Sequence, residues 1–248
     1  MLTDRDLAAL VAGFRDQGLI DTYLGPLRPG KEAAIHCCRR PDGGFAVLKH
    51  YTRIDHRGFR ADACYGLGTG HAPTRDRRAI RDRSGYGLLA KLAIWTANER
   101  RNGERLRGLG LRVPRPLGQL GPGLLVQMIG GPDRPAPQLR EADLEPNDLA
   151  TACAELQGMV LAMLAAGLVH GDLSPYNVLM HRGRPWIIDV PQMVEAAVNP
   201  AAADLFHRDC ASLFGHFRRR GLAIDPATWS AAAWAAWEAG TPLTAEVR

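Results

Sequence analysis

The chain has too few cysteines, and in the wrong places, for covalent or zinc stabilisation. There are five, an odd number, with no C-x-x-C pair and with Cys37 and Cys38 adjacent, which suits neither a disulfide framework nor a zinc site. The eight histidines show no H-x-x-x-H spacing, so a helical pair of metal ligands is missing too. The longest apolar run, Met159 to Val169, is eleven residues with a glycine inside it, short of what a bilayer requires. The opening Met1-Leu-Thr-Asp-Arg-Asp lacks the basic start and apolar core of a signal peptide. A reduced cytoplasmic protein without membrane contact is expected. No G-x-G-x-x-G loop is present either: Gly30-Lys31-Glu32-Ala33 offers one glycine, which by itself means little. What the chain has is 248 residues, 46% hydrophobic content and a formal charge of +5, enough for a core in one large domain or in two lobes sharing a cleft.

The chemistry is concentrated in His170-Gly-Asp172-Leu-Ser174-Pro-Tyr-Asn177 and Ile187-Ile188-Asp189-Val-Pro191-Gln192. Pro175 excludes a helix or strand interior and apolar runs flank it, so Asp172 and Asn177 belong to a tight loop. The run Val178-Leu-Met, the turn His181-Arg-Gly-Arg and the run Pro185-Trp-Ile-Ile read as a hairpin that returns Asp189 to Asn177. Two hard oxygen donors and a separate carboxylate are what a metal-nucleotide site needs. Asn177 and Asp189 are the candidate ligands of Mg²⁺, with Mn²⁺ as an alternative, and Asp172 is the candidate base. Each could singly be a turn former or strand cap; the three together at this spacing argue for phosphoryl transfer from ATP.

Upstream, Thr3 caps an amphipathic helix carrying Leu7, Leu10, Val11 and Phe14 and ended by Gly18. Two short β-like runs follow Gly25-Pro-Leu-Arg-Pro-Gly30. The runs Ala33 to Cys38 and Phe45 to Tyr51 then form a hairpin around Pro41-Asp-Gly-Gly44. Lys49, in Ala46-Val-Leu-Lys49, has the apolar-flanked form of the kinase lysine that grips phosphates. The backbone N–H groups of Gly30, Lys31 and Glu32 can approach the same phosphates. Residues 51 to 83 hold eight arginines and four aspartates without apolar period; the segment, about 51–86, reads as a mobile linker or as a basic contact surface for RNA or the ribosome. A helical pattern resumes from Gly87, with Glu99 and Glu104 as its candidate acids, and leads to the strand Leu124 to Met128. Asn147 is the expected cap of a helix through Leu149, Cys153, Leu156, Val160 and Met163.

The two motif stretches resemble those of the RIO-type atypical serine/threonine protein kinases, written H-[AG]-D-L-S-x-[FY]-N and I-D-x-[PS]-Q, and the basic segment and Pro-Leu-Thr tail resemble those of the family's small bacterial members. The resemblance spans roughly residues 20 to 220. It implies an α+β, two-lobed protein-kinase-like fold: an N-terminal helix over 1–20, a β-rich N-lobe over 21–129 and a reduced helical C-lobe over 130–248. Gly30-Lys-Glu-Ala fits the family loop [ST]-G-K-E-A except that Pro29 replaces the hydroxyl residue. The pattern W-x-x-x-E implies that Glu99 pairs with Lys49, with Glu104 the runner-up. Backbone atoms of Gln127 and Ile129 are implied at the adenine edge, and Asp209, in Arg208-Asp-Cys, as an anchor of the catalytic loop. The family also implies autophosphorylation, ATPase turnover or both, and an aspartyl-phosphate at Asp189.

Only 59 residues follow Asp189, without an A-P-E anchor or a peptide-docking helical lobe, and Gly171 stands where H-R-D has arginine. Asp225-Pro226 opens a last helix with Trp229, Trp234 and Trp237. Arg218-Arg-Arg220 complements a helix end or touches nucleic acid. Aminoglycoside-type kinases share H-G-D-L-x-x-x-N, so a small-molecule phosphotransferase is the competing reading; Asp189-Val-Pro-Gln, Gly30-Lys-Glu-Ala and Pro135-Ala-Pro speak for the protein-kinase one.

Overall fold

The computed structural model describes residues 4–29, 33–51, 85–131 and 134–243. The chain forms two compact units, Met1–Glu104 with Pro114–Pro135, and Arg105–Val113 with Ala136–Arg248. The first helix lies within the first unit.

Helix α1 (Asp4–Asp16) precedes a five-stranded antiparallel sheet of order β1-β2-β3-β5-β4. Its strands are β1 (Thr22–Pro29), β2 (Ala33–Arg39), β3 (Phe45–Tyr51), β4 (Pro116–Leu120) and β5 (Gly123–Gln127). Helix α2 (Gly85–Gly108) lies between β3 and β4 in sequence. The apolar stripe of α1 does what its spacing requires: Leu10, Val11 and Phe14 bury with Ile20 against Cys38, Ala46, Leu48 and Leu125. Removing a ring as buried as that of Phe14 costs about 3–5 kcal/mol. Gly118 makes room for this packing, since a Cβ there would stand 2.5 Å from Leu19 and 3.2 Å from Phe14.

The glycine- and proline-rich stretch Gly25 to Pro29, which carries no strand pattern in the sequence, is part of strand β1. Proline lacks the ladder N–H, but among the described residues β1 is an edge strand that pairs only with β2, and its pairing shifts register at Tyr23/Gly25 and Pro26/Arg28. Strand β4, beginning at Pro116 on the other edge, was hidden by the same residue type.

The second unit is built on α3 (Pro146–Ala165), whose residues Leu149, Cys153, Leu156, Val160 and Met163 are all buried. Glu145, not Asn147, occupies the N-cap, because Pro146 with its fixed φ takes the first helical position. By length and composition α3 could cross a membrane, but its apolar residues form the core of this unit. It is followed by β6 (Leu168–Val169), the hairpin β7 (Val178–His181) and β8 (Arg184–Ile187), β9 (Val194–Glu195), α4 (Ala202–Arg219) and α5 (Pro226–Glu238). The β7–β8 turn places Arg182 and Gly183 at φ 51° and 73°, as a two-residue hairpin demands. Asp225 caps α5, accepting from the Thr228 N–H at 3.1 Å. The basic run at the end of α4 is occupied structurally: Arg220 donates to the carbonyls of Ala142 and Leu144, and Arg218 lies 3.6 Å from Asp225.

Candidate active site

In the first unit, strand alternation places Lys49 and Tyr51 on one face of β3, opposite Leu48 and His50. Lys49 Nζ donates to Glu99 Oε1 and Tyr51 OH donates to Glu99 Oε2, and all three side chains are buried. Helix periodicity selects this acid: Trp95, Glu99, Asn102 and Leu106 are buried at spacings of four, three and four. Glu104 falls on the exposed face, where it pairs with Arg100 at 3.0 Å. Tyr51 escaped sequence reading, although its place two residues beyond Lys49 is the signal that could have found it. At the end of β5, the Gln127 N–H is taken by the Arg115 carbonyl at 2.8 Å and the Met128 N–H by Phe45 at 3.2 Å. The Gln127 N–H is thus already paired, and Ile129, two residues on, is buried. Gly30, Lys31 and Glu32 lie outside the described residues, as do 52–84 of the basic segment.

In the second unit the two motif stretches converge. The Asn177 N–H closes a turn onto Ser174 at 2.9 Å, and the Ile188 N–H donates to the Asn177 carbonyl at 2.9 Å. With Val178 paired to Ile187, the hairpin brings Asp189 alongside the catalytic loop. Asn177 Nδ2 donates to the Asp172 carbonyl at 2.7 Å and to Asp172 Oδ2 at 3.3 Å. That turns Oδ1 to the opposite side of the amide. Asp189 has φ 66°, a left-handed conformation that is uncommon for a residue with a side chain, though aspartate tolerates it better than most.

His170 joins the two stretches. Its Nδ1 accepts from the Asp172 N–H at 3.3 Å, so its Nε2 carries the proton and donates to the Ile188 carbonyl at 3.3 Å. Burial drives its pKa down to about 4, which keeps the imidazole neutral. Asp172 is exposed, yet partial desolvation first, and the nearby Asp189 second, hold its carboxyl above the usual range. Arg208 and hydrogen bonds from Asn177 and Gln192 act in the opposite direction. Gln192, buried at the end of its motif, acts as one of these donors.

Asp209, on α4, accepts from the Gly171 N–H at 2.8 Å. Burial raises its pKa to about 7, opposed by Arg208 and by backbone donors of Gly171 and Leu173. Arg208 itself donates to the Gly171 carbonyl. Glycine in place of the H-R-D arginine therefore does not leave the loop without a cation: α4 supplies one. A second positioning contact comes from Arg112, which donates to Glu155 at 2.5 Å and to the Pro185 carbonyl at 2.9 Å, holding β8 against α3.

The donor set suits magnesium. The Asp189 carboxylate and the Asn177 Oδ1 are hard oxygens, and a metal already carried by phosphates needs few ligands from the protein. The free cysteines Cys37, Cys38, Cys153 and Cys210 are buried, and burial raises their thiol pKa values, Cys38 to about 12 and Cys153 to about 11. They are core residues.

A five-stranded sheet with a buried lysine–glutamate pair, and a helical unit presenting Asp172, Asn177 and Asp189, define the protein-kinase-like class of phosphotransferase folds. A family model described as the RIO domain matches residues 69–228. The RIO-type serine/threonine-protein kinase Rio1 of Haloferax volcanii is 32% identical over 222 residues, covering 90% of this chain and 72% of that protein. Serine/threonine-protein kinase RIO1 of Caenorhabditis elegans is 31% identical and that of Homo sapiens 30%, each over 84% of this chain. The chain spans only 39% and 35% of those two proteins. A crystal structure of the Rio2 kinase from Chaetomium thermophilum superposes with a TM-score of 0.72 at 23% identity, covering 94% of this chain and 68% of that one. Its ADP/Mg²⁺-phosphoaspartate complex gives 0.69 at 23% identity, covering 90% and 63%. The chain belongs to the RIO-type serine/threonine-protein kinase family.

Proposed function

We propose that the chain transfers the γ-phosphoryl group of ATP, with Mg²⁺, to serine or threonine hydroxyls of polypeptides, its own among them. The observation that carries this reading is the tie between Asp172 and Asn177, which places a candidate base and a candidate metal ligand on one loop, with Asp189 returned beside it. Magnesium, when bound with the nucleotide, would neutralise phosphate charge; Asn177 and Asp189 would hold it. Lys49, kept in one orientation by Glu99, would neutralise the α- and β-phosphates. Asp172 would orient the acceptor hydroxyl and take its proton, and a carboxylate of raised pKa is the better base for that step. His170, Asp209 and Arg208 keep the loop backbone in place. Family membership favours a polypeptide acceptor over an antibiotic-like one.

A second outcome of the same site is phosphoryl transfer to Asp189. Its carboxylate oxygen would bond to the γ-phosphorus as the bond to the ADP oxygen breaks, and water would later release phosphate. The phosphoaspartate named for the Chaetomium thermophilum Rio2 complex supports this reading. Contact with RNA through the segment 51–86 rests on charge alone, and salt-dependent retention on RNA would test it.

Incubation of the protein with γ-labelled ATP and Mg²⁺ separates these outcomes. Stable label on serine or threonine supports the kinase reading, and hydroxylamine-labile label lost in Asp189→Asn supports the covalent one. Free phosphate without protein-bound label at any time would overturn both.

A further inference from the structure

We propose that Tyr176, braced by Arg140, is the subsite that selects the residue flanking the phosphorylated hydroxyl, an aromatic or large apolar side chain; the inference rests on the polypeptide-kinase reading above. Tyr176 stands four residues after Asp172 and immediately before Asn177, at the crest of the loop. It is 54% exposed, while its neighbours Pro175 and Val178 are buried. The four large hydrophobics most exposed among the described residues are Leu24, Leu109, Tyr176 and Val198, and Tyr176 is the aromatic one.

The loop does not need this ring for its shape. The segment after Pro135 runs beside the loop and fixes it through backbone atoms: the Leu139 N–H donates to Val178 at 2.8 Å, the Met180 N–H to Pro137 at 2.8 Å and the Arg140 N–H to Pro175 at 3.4 Å. Gln138 Nε2 binds the Tyr176 carbonyl at 2.9 Å, a group that any residue would offer. The ring is held separately. The Arg140 guanidinium lies 4.4 Å from its centroid, and Glu141, 3.8 Å from Arg140, steadies the cation. A rigid aromatic surface with few rotatable bonds gives contact area at low entropic cost.

The acceptor hydroxyl must reach Asp172, so an extended polypeptide carries its neighbouring side chains past the ring, about 3.3 Å further on per residue. The ring offers stacking and apolar contact. Arg140 is partly neutralised by Glu141, which makes the ring, not the cation, the selecting element. Tyrosine at this place therefore adds specificity to a loop whose other side chains perform transfer.

Positional-scanning serine peptides phosphorylated by the full chain with γ-labelled ATP and Mg²⁺ test this. Wild type is expected to favour Phe, Tyr, Trp or Leu at one position within two residues of the serine. Tyr176→Ala should erase that preference and raise the peptide KM about tenfold, with the KM for ATP unmoved; Tyr176→Phe, which keeps the ring, should retain both. Arg140→Gln should weaken the preference without replacing it. A flat wild-type preference, an acidic preference that survives Tyr176→Ala, or a Tyr176→Ala variant that loses kcat at unchanged peptide KM would overturn the subsite alone. Failure of wild type to label any peptide would overturn the polypeptide-acceptor reading and the subsite with it.

Discussion

Asn177 gives both of its amide hydrogens' reach to Asp172, meeting the backbone carbonyl at 2.7 Å and the carboxylate at 3.3 Å. One residue thus fixes the loop's curvature, restrains the candidate base and presents Oδ1 elsewhere. Asn177→Ala should lose all three, lowering turnover at least about a hundredfold and raising the Mg²⁺ concentration needed for half-maximal rate. Asn177→Asp keeps the oxygens but places a second carboxylate against Asp172, so it should rescue Mg²⁺ affinity better than turnover. A magnesium titration of the rate in both variants checks the split; identical titrations would remove Asn177 from the ligand set.

Glu99 receives a lysine and a tyrosine from alternate positions of one strand. A buried carboxylate stripped of its cation is costly, on the order of 3 kcal/mol, so Lys49→Ala should lower stability as well as turnover. Lys49→Ala and Glu99→Ala together should be far less than additive, by both chemical denaturation and rate. Tyr51→Phe removes one donor and should cost about 1–2 kcal/mol, with Lys49 still in place. Strict additivity of the first pair would separate the two residues, whatever their contact in the structure.

Acid should destabilise the protein through its buried imidazoles. The His170 pKa is pushed down to about 4 by burial, and burial lowers His36 and His50 as well. The unfolded chain, with histidines near 6.5, binds protons first, so stability falls as pH drops from about 6.5 towards 4. For His170 the difference is on the order of 3 kcal/mol. Asp209 works in the other direction: its pKa is raised to about 7, so its contribution is present at low pH and lost as pH rises through 7. Urea midpoints across pH 4 to 8 should show a shallower acid limb in His170→Gln and a steeper one in Asp209→Asn. Unchanged limbs would mean that neither group titrates differently on folding.

Periodicity made much of this legible. The burial of Leu10, Val11 and Phe14, the hairpin that carries Lys49, and the return of Asp189 to Asn177 all follow from spacing and turn chemistry that act over a few residues. What stayed hidden depends on tertiary position. Proline in β1 and β4 reads as a breaker because nothing local tells an edge strand from a central one. Asn147 looked like a cap, but its neighbour Pro146 decides where the helix starts. Glu99 could be separated from Glu104 only through a family pattern, since both are compatible with a helix surface until the buried face is known. Tyr51, Gln192 and Arg208 matter through what another segment brings to them: Glu99, Asp172 and the Gly171 carbonyl.

Nucleotide binding and turnover measured in the same samples test the division of labour between the two acids most directly. Asp172→Asn should bind Mg²⁺-ATP as wild type does while turnover falls at least about a hundredfold, because the acceptor is no longer oriented and the metal ligands remain. Asp189→Ala should instead weaken Mg²⁺-dependent binding itself, leaving the small Mg²⁺-independent component unchanged. Near-normal turnover in Asp172→Asn, or an unaltered Mg²⁺ dependence of binding in Asp189→Ala, would contradict the assignment of base and metal ligand.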